Sequence, residues 1–177
     1  MILHKRRRKK KTNYKKRIAL IKSGKTRLVI RKSLKNISVQ FVKFKQAGDV
    51  TVTCANSKEL KKFGWAVNCG NIPAAYLTGL LAGLRFGKQD AILDIGMQTS
   101  VKGSRVYAAL AGAVDGGANV CHSKDILPTK ERLTGEHIVA FASKPEQDKI
   151  FSRYKISPKE LTKHFEEVKQ AILKSKK

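Results

Sequence analysis

The sequence predicts an α/β fold: a layered domain whose mixed sheet joins an antiparallel meander to one further buried strand, with packed helices and a basic N-terminal arm. Three observations predict it. Three successive runs rich in β-branched and aromatic residues, at 28–30, 37–41 and 50–54, are separated only by turn-sized polar segments. A compact apolar run, Ala91 to Ile95, lies between two segments of helical character. The charge is also lopsided. The first 48 residues hold 18 lysines and arginines and no acid, whereas the remainder holds 20 against 13 acids.

A chain of 177 residues with 41% hydrophobic content is long enough for one real core. Its net charge of +25 is costly through self-repulsion unless a polyanion neutralises it. Nucleic acid is the commonest such partner, and an anionic membrane surface is the competitor. No run of 18 apolar residues exists to span a bilayer, and the start, Met1 to Lys5, lacks the apolar centre of a secretory signal. Cys54, Cys69 and Cys121 are an odd, sparse set that fits a reducing, cytoplasmic compartment, with the thiols read as small buried apolar groups. No CxxC pair or histidine spacing suggests a metal, and no cofactor is expected.

Taken in order, the chain divides into an arm over 1–24, a globular domain over 25–140 and an extension over 141–177. The unbroken basic septet Lys5, Arg6, Arg7, Arg8, Lys9, Lys10 and Lys11 repels itself and has nothing apolar to bury, so it is expected not to fold alone. Thr12 is placed to cap a short helix ended by Gly24. Tyr14, Ile18 and Ile21 recur on it at i, i+4 and i+7, with Lys15, Lys16, Arg17 and Lys22 around them. That stripe docks on something, and whether Tyr14 meets the core or an RNA base is left open. The first two strands enclose a tip of Arg31, Lys32, Ser33, Lys35 and Asn36. In the third, period two predicts Val50, Val52 and Cys54 on the buried face, with Thr51 and Thr53 opposite beside Ser38 and Gln40.

Ser57 to Phe63 reads as a capped short helix stopped by Gly64, and Trp65 as a core residue. Pro73 opens a helix to about Phe86. Gly79 and Gly83 each cost that helix about 1 kcal/mol relative to alanine, so close packing has to compensate. A second helix runs from Ser104 to about Val114. His122 to Arg132 reads as loop and short helix, and Gly135 to Phe141 as ambiguous. Leu161, Phe165, Val168 and Ile172 define a C-terminal amphipathic helix that lies on the domain or on a partner.

No catalytic constellation assembles. Gly83 to Gln89 echoes a phosphate loop with the wrong spacing, at a helix end rather than a helix start. Asp90 and Asp94 are the best candidates for a small metal-dependent nuclease or RNA-modifying enzyme, but two-metal chemistry needs more carboxylates than these. Binding is better supplied. Lys102, Gly103 and Ser104 lead into a helix whose free N–H groups favour a phosphate, with Arg105 in its first turn. The tip at 31–36 sets cations and short hydrogen-bonding side chains on a stiff support.

Several motifs, in one order, carry a family resemblance. Lys32-Ser33-Leu34-Lys35-Asn36-Ile37, Glu59-Leu60-Lys61-Lys62-Phe63-Gly64-Trp65, the helix from Gly70-Asn71-Ile72-Pro73 to Gly83, Leu93-Asp94-Ile95-Gly96 and Lys102-Gly103-Ser104-Arg105-Val106 resemble the large-subunit ribosomal proteins that bind 5S rRNA. These are number eighteen in the bacterial series and number five in the eukaryotic one. Gly135-Glu136-His137-Ile138 looks like the archaeal form. The resemblance covers about Thr12 to Ile138. It departs at Leu34 and Asn36, where the family pattern has Asn and His. It implies a mixed α/β domain without catalysis that joins 5S rRNA to 23S rRNA and to neighbouring large-subunit proteins in the central protuberance. No membrane partner or homo-oligomer is expected. The implied RNA contacts fall on the arm, on the 31–37 hairpin and on the 102–105 loop.

Overall fold

A computed structural model describes residues 4–143, 151, 154 and 156–175. Strands β1 (Thr26–Lys32), β2 (Ile37–Lys43) and β3 (Val50–Asn56) form the expected meander, each pair antiparallel. β4 (Asp90–Asp94) lies parallel to β1 on its other side, and a two-residue β5 (Asn119–Val120) extends the sheet beyond it. The order is therefore β3-β2-β1-β4-β5, a mixed sheet. β5 falls just before the 122–132 stretch and carries too little pattern to be read from sequence.

The core lies on one face of the sheet. Period-two alternation turns Leu28, Ile30, Ile37, Val39 and Phe41 inward, each at most 1% exposed. They meet α3 (Ile72–Phe86) and α4 (Arg105–Asp115). Phe41 stacks on Phe86 with ring centroids 3.8 Å apart. α3 starts where Asn71 accepts the Ala74 amide and Pro73 occupies the first turn. The two helices approach until backbone touches backbone. A Cβ on Gly79 would stand 2.0 Å from the Ala109 carbonyl oxygen, and one on Gly112 would stand 2.0 Å from that of Tyr76. This contact is what offsets glycine's cost inside a helix.

Across that seam the Tyr76 hydroxyl donates to Asp115 at 2.7 Å, and burial together with this bond raises its pKa well above the ordinary phenol range. α7 (Leu161–Lys174) buries Leu161, Phe165, Val168 and Ile172 against the same core, so its apolar face is spent on the domain. Trp65 is 2% exposed and stacks on His164. Gly135 to Phe141, ambiguous in sequence, is mostly helix: α5 (Lys130–Thr134) ends at Gly135 and α6 (Glu136–Ala142) follows.

Four local expectations are corrected. The septet is not wholly without structure, because α1 (Lys5–Arg8) forms one turn that buries nothing. Asn13 rather than Thr12 caps α2 (Tyr14–Lys22), accepting the Lys16 amide, while the Thr12 hydroxyl accepts from Arg6. The capped short helix expected at 57–63 is present as a 3-10 turn, Ser57–Phe63, capped by Asn56 in a reciprocal box with Glu59. In β3, Val50, Val52 and Cys54 are exposed. A bulge opposite Phe41 and Val42 pairs Thr53 with Phe41 and leaves Val52 as the extra residue, so Thr53 and Ala55 share the core face. Of the three cysteines, all free thiols, only Cys69 is buried.

Candidate nucleic-acid interface

The hairpin tip is clasped before any ligand arrives. Ser33 and Asn36 close it with three bonds: Ser33 N–H to the Asn36 carbonyl at 2.8 Å, the Ser33 hydroxyl to the same carbonyl at 2.9 Å, and Asn36 N–H to the Ser33 oxygen at 3.0 Å. Two other loops brace it from behind. Arg105, in the first turn of α4, donates to the Gly70 carbonyl at 2.7 Å and to the Ser33 carbonyl at 3.4 Å. Gly70 in turn lies so near the tip that a Cβ there would stand 2.8 Å from the Leu34 carbonyl oxygen. The segments at 33–36, 69–71 and 102–105 thus form one rigid corner. Lys32, Ser33, Lys35 and Lys102 project from it into solvent, Asn36 and Ser104 are half-buried, and Leu34 is 94% exposed at the apex.

The arm joins this corner along the outer face of the sheet. α2 lies over a groove of about 770 Å³ whose floor includes Arg27, Val29, Arg31 and Gln40. An alternating chain of charges fastens it there. Arg17 and Arg27 both hold Asp49 Oδ2, at 2.9 and 2.7 Å, while Arg27 and Arg31 hold the two oxygens of Asp94 at 3.1 and 3.0 Å. Arg27 and Asp94 are buried at 5% and 6% exposure. Arg31 also donates to the Asp94 carbonyl at 2.6 Å. Three guanidinium groups against two carboxylates leave the chain net positive.

This places each expected contact. Lys5, Arg6, Arg7, Arg8, Lys9, Lys10 and Lys11 are exposed along the arm, as are Lys15 and Lys16 on α2. Tyr14 is half-buried, its ring 5.2 Å from that of His4, and it borders a small pocket with Met97. Arg17, Arg31 and Arg105 sit where sequence puts them, but each spends its guanidinium on an internal partner. The docking stripe on α2 is displaced as well. Ile18 is 53% exposed, and the helix turns Tyr14, Arg17, Leu20 and Ile21 inward instead. Asp49 and Gly70 were not read as supports from sequence, whereas Asp94, named there as a candidate metal ligand against a structural role at a strand end, takes the structural role. Asp49 carried one usable signal, as the first acid after 48 residues without one.

The same geometry disposes of the metal-dependent reading. Asp94 is ion-paired to two arginines and accepts the Gly96 amide, while Asp90 is engaged by Lys25 and Asn119. Two carboxylates committed in this way at opposite ends of β4 do not converge on a cation. Among the described residues, no group of three or more His, Cys, Asp or Glu could hold one, and no helix is long and apolar enough to cross a membrane.

Comparison with known proteins agrees with the motifs. The family described as "Ribosomal large subunit proteins 60S L5, and 50S L18" matches residues 2–90 and 85–123. The chain is 49% identical to large ribosomal subunit protein uL18 of Korarchaeum cryptofilum, over 94% of this chain and 91% of that protein. It is 43% identical to uL18 of Methanococcus maripaludis, over 95% and 93% of the respective chains.

Proposed function

Since this chain belongs to the family of large-subunit ribosomal proteins that spans L18 and L5, we propose that its basic arm and braced hairpin corner together bind 5S rRNA and help attach it to 23S rRNA in the central protuberance. Family membership makes it a structural constituent of the large ribosomal subunit, associated with rRNA and ribosomal proteins and without catalytic activity. The finer assignment is our reading. The observation that carries it is the continuity of two unlike surfaces. A corner clasped by Ser33, Asn36 and Arg105 presents Lys32, Lys35 and Lys102, and α2 runs from beside it into a septet of cations with no acidic counterpart.

The division of labour follows from the physics. A rigid corner loses little conformational entropy on binding and so fixes register. A charged arm supplies phosphate neutralisation, which gives affinity and salt dependence but little sequence information. Arg31 and Arg105 then act first as supports of the corner, and their outward edges reach RNA only where the corner does.

The test is binding of the whole protein to 5S rRNA and to an unrelated RNA of equal length across a salt series. With six to ten phosphate contacts, affinity falls about 10³–10⁵-fold between 50 and 200 mM salt if duplex-DNA behaviour transfers. 5S rRNA is expected to keep its advantage at every salt. Equal affinity for the two RNAs throughout would reduce the protein to a general polyanion binder.

A further inference from the structure

We infer that the β2–β3 turn is a second RNA contact, in which Phe44 stacks on an unpaired base while Lys43 and Lys45 engage the flanking phosphates. It lies at the opposite end of the sheet from the hairpin corner. β1 leads from the turn end, where Arg27 pairs with Val42, to the tip end, where Lys32 pairs with Ile37. Seven residues at about 3.3 Å each separate the two ends by roughly 20 Å. The inference rests on the RNA-binding reading above, but it assigns a surface which that reading does not use.

Four observations converge on this turn. Phe44 is 45% exposed and stands between two exposed lysines, the pairing of π-face and cation that single-stranded RNA sites employ. Exposed apolar side chains also stand on the neighbouring edge strand. Val50 pairs with Lys43 and is 43% exposed, and the bulged Val52 is 51% exposed. The loop is also held at both ends before binding. Gly48 N–H donates to the Lys45 carbonyl at 3.0 Å, and Asp49 is gripped by Arg17 and Arg27. Finally, the field here is positive. Asp49 and Asp90, the acids at this end, are already paired with Arg17, Arg27 and Lys25, so Lys43 and Lys45 have no carboxylate partner among the described residues.

A protein neighbour would also cover an apolar edge, and charge decides between the two. Lysines on both sides of a lone aromatic complement a phosphate on either side of a base. Loops and bulges of folded RNA supply such splayed bases, whereas a duplex does not.

The test uses the full-length protein with isolated 5S rRNA and 23S rRNA, separately and together. Trp65 is 2% exposed, so a tryptophan introduced by Phe44→Trp reports on the turn almost alone. Its fluorescence is expected to be quenched by at least one of the rRNAs. Phe44→Ala should weaken binding to that rRNA about 5- to 150-fold with unchanged salt slope, and Phe44→Trp should retain it. Lys43→Gln with Lys45→Gln should instead flatten the log–log salt slope by roughly 1.4. Lys32→Gln with Lys35→Gln serves as the reference at the other end. Loss with that pair but native behaviour of every Phe44 variant overturns this inference and leaves the corner's role standing. The converse pattern overturns the corner instead. Native binding by Phe44→Ala together with an unquenched Phe44→Trp, with either rRNA and with both, would likewise overturn the inference and exclude the turn as a contact to either rRNA.

Discussion

On one face of β1, Leu28 and Ile30 are fully buried beneath two helices; on the other, Arg27 and Arg31 are held by Asp49 and Asp94 under α2. The first face is closed by area and close packing, which is non-directional and worth about 25 cal/mol per Å² of apolar surface removed from water. The second is closed by a few directional ion pairs, whose desolvation cost consumes much of their Coulombic gain. The difference teaches a division of roles. The apolar face makes the domain stable, and the ionic face sets where the arm leaves it, at modest net stabilisation. Substitutions on the two faces should therefore separate stability from RNA binding.

The largest expected effect lies in the helix seam on the apolar side. Gly79→Ala puts a methyl group 2.0 Å from a backbone carbonyl that cannot rotate away, so α3 and α4 must part. A loss of about 3 kcal/mol or more is expected, at the upper end for overpacking. Urea denaturation measures it, and a change below about 1 kcal/mol would mean that the seam is loose.

Next comes Asp94→Asn, on the ionic side. It removes charge from a residue 6% exposed and leaves the buried Arg27 with Asp49 alone. Because one counterion survives, the loss should fall below the 3–5 kcal/mol typical of breaking a buried pair, at about 2–3 kcal/mol. It should also loosen Arg31 and with it the hairpin. Hydrogen exchange at the β1 and β4 amides would show whether that loosening stays on the outer face, as the contrast between the two faces requires.

How far each face was legible in sequence follows from the same contrast. The apolar runs at 28–30 and 37–41 marked the strands that supply Leu28, Ile30, Val39 and Phe41 to the core, and the glycines of the Pro73 helix announced close packing, because apolar burial leaves a local signature in the element that makes it. In β3 the rule misled. One bulged residue shifts every later side chain to the other face, and nothing in Val50-Thr51-Val52-Thr53 marks it. Arg17 was legible as a cation but not as the docking residue of α2, because its partner Asp49 is 32 residues away and long-range ion pairs leave no local period. At the interface, sequence supplied the cations and the tip. It did not supply the bracing by Gly70 and Arg105, which depends on loops that meet only after folding.

Tyr76→Phe returns to the apolar side with a smaller effect. It removes the bond to Asp115 and is expected to cost about 1 kcal/mol at neutral pH. The folded-state pKa is raised, so the unfolded chain ionises first and Tyr76 contributes fully only below about pH 10. Native stability should therefore fall as pH rises above that point, and the gap between native and Tyr76→Phe should narrow. Paired thermal melts at pH 7 and pH 10.5 would check the sign. A gap that widens with pH would mean the hydroxyl is not held as a neutral donor.

Deleting residues 1–11 is the sharpest test of the contrast because its expected effect on folding is the smallest. α1 buries no residue, and α2 retains its Asn13 cap and the Arg17–Asp49 pair. The melting temperature of the RNA-free protein should change by no more than about 1–2 °C, the equivalent of a few tenths of a kcal/mol in a chain of this size. The deletion removes seven adjacent cations, however. If each meets a phosphate, the log–log salt slope for 5S rRNA should flatten by several units. A large fall in melting temperature would show that the arm belongs to the fold. An unchanged salt slope would show that the corner binds without it. Only a stable domain with a flattened slope is consistent with an outer face that positions the arm and an inner face that holds the domain together.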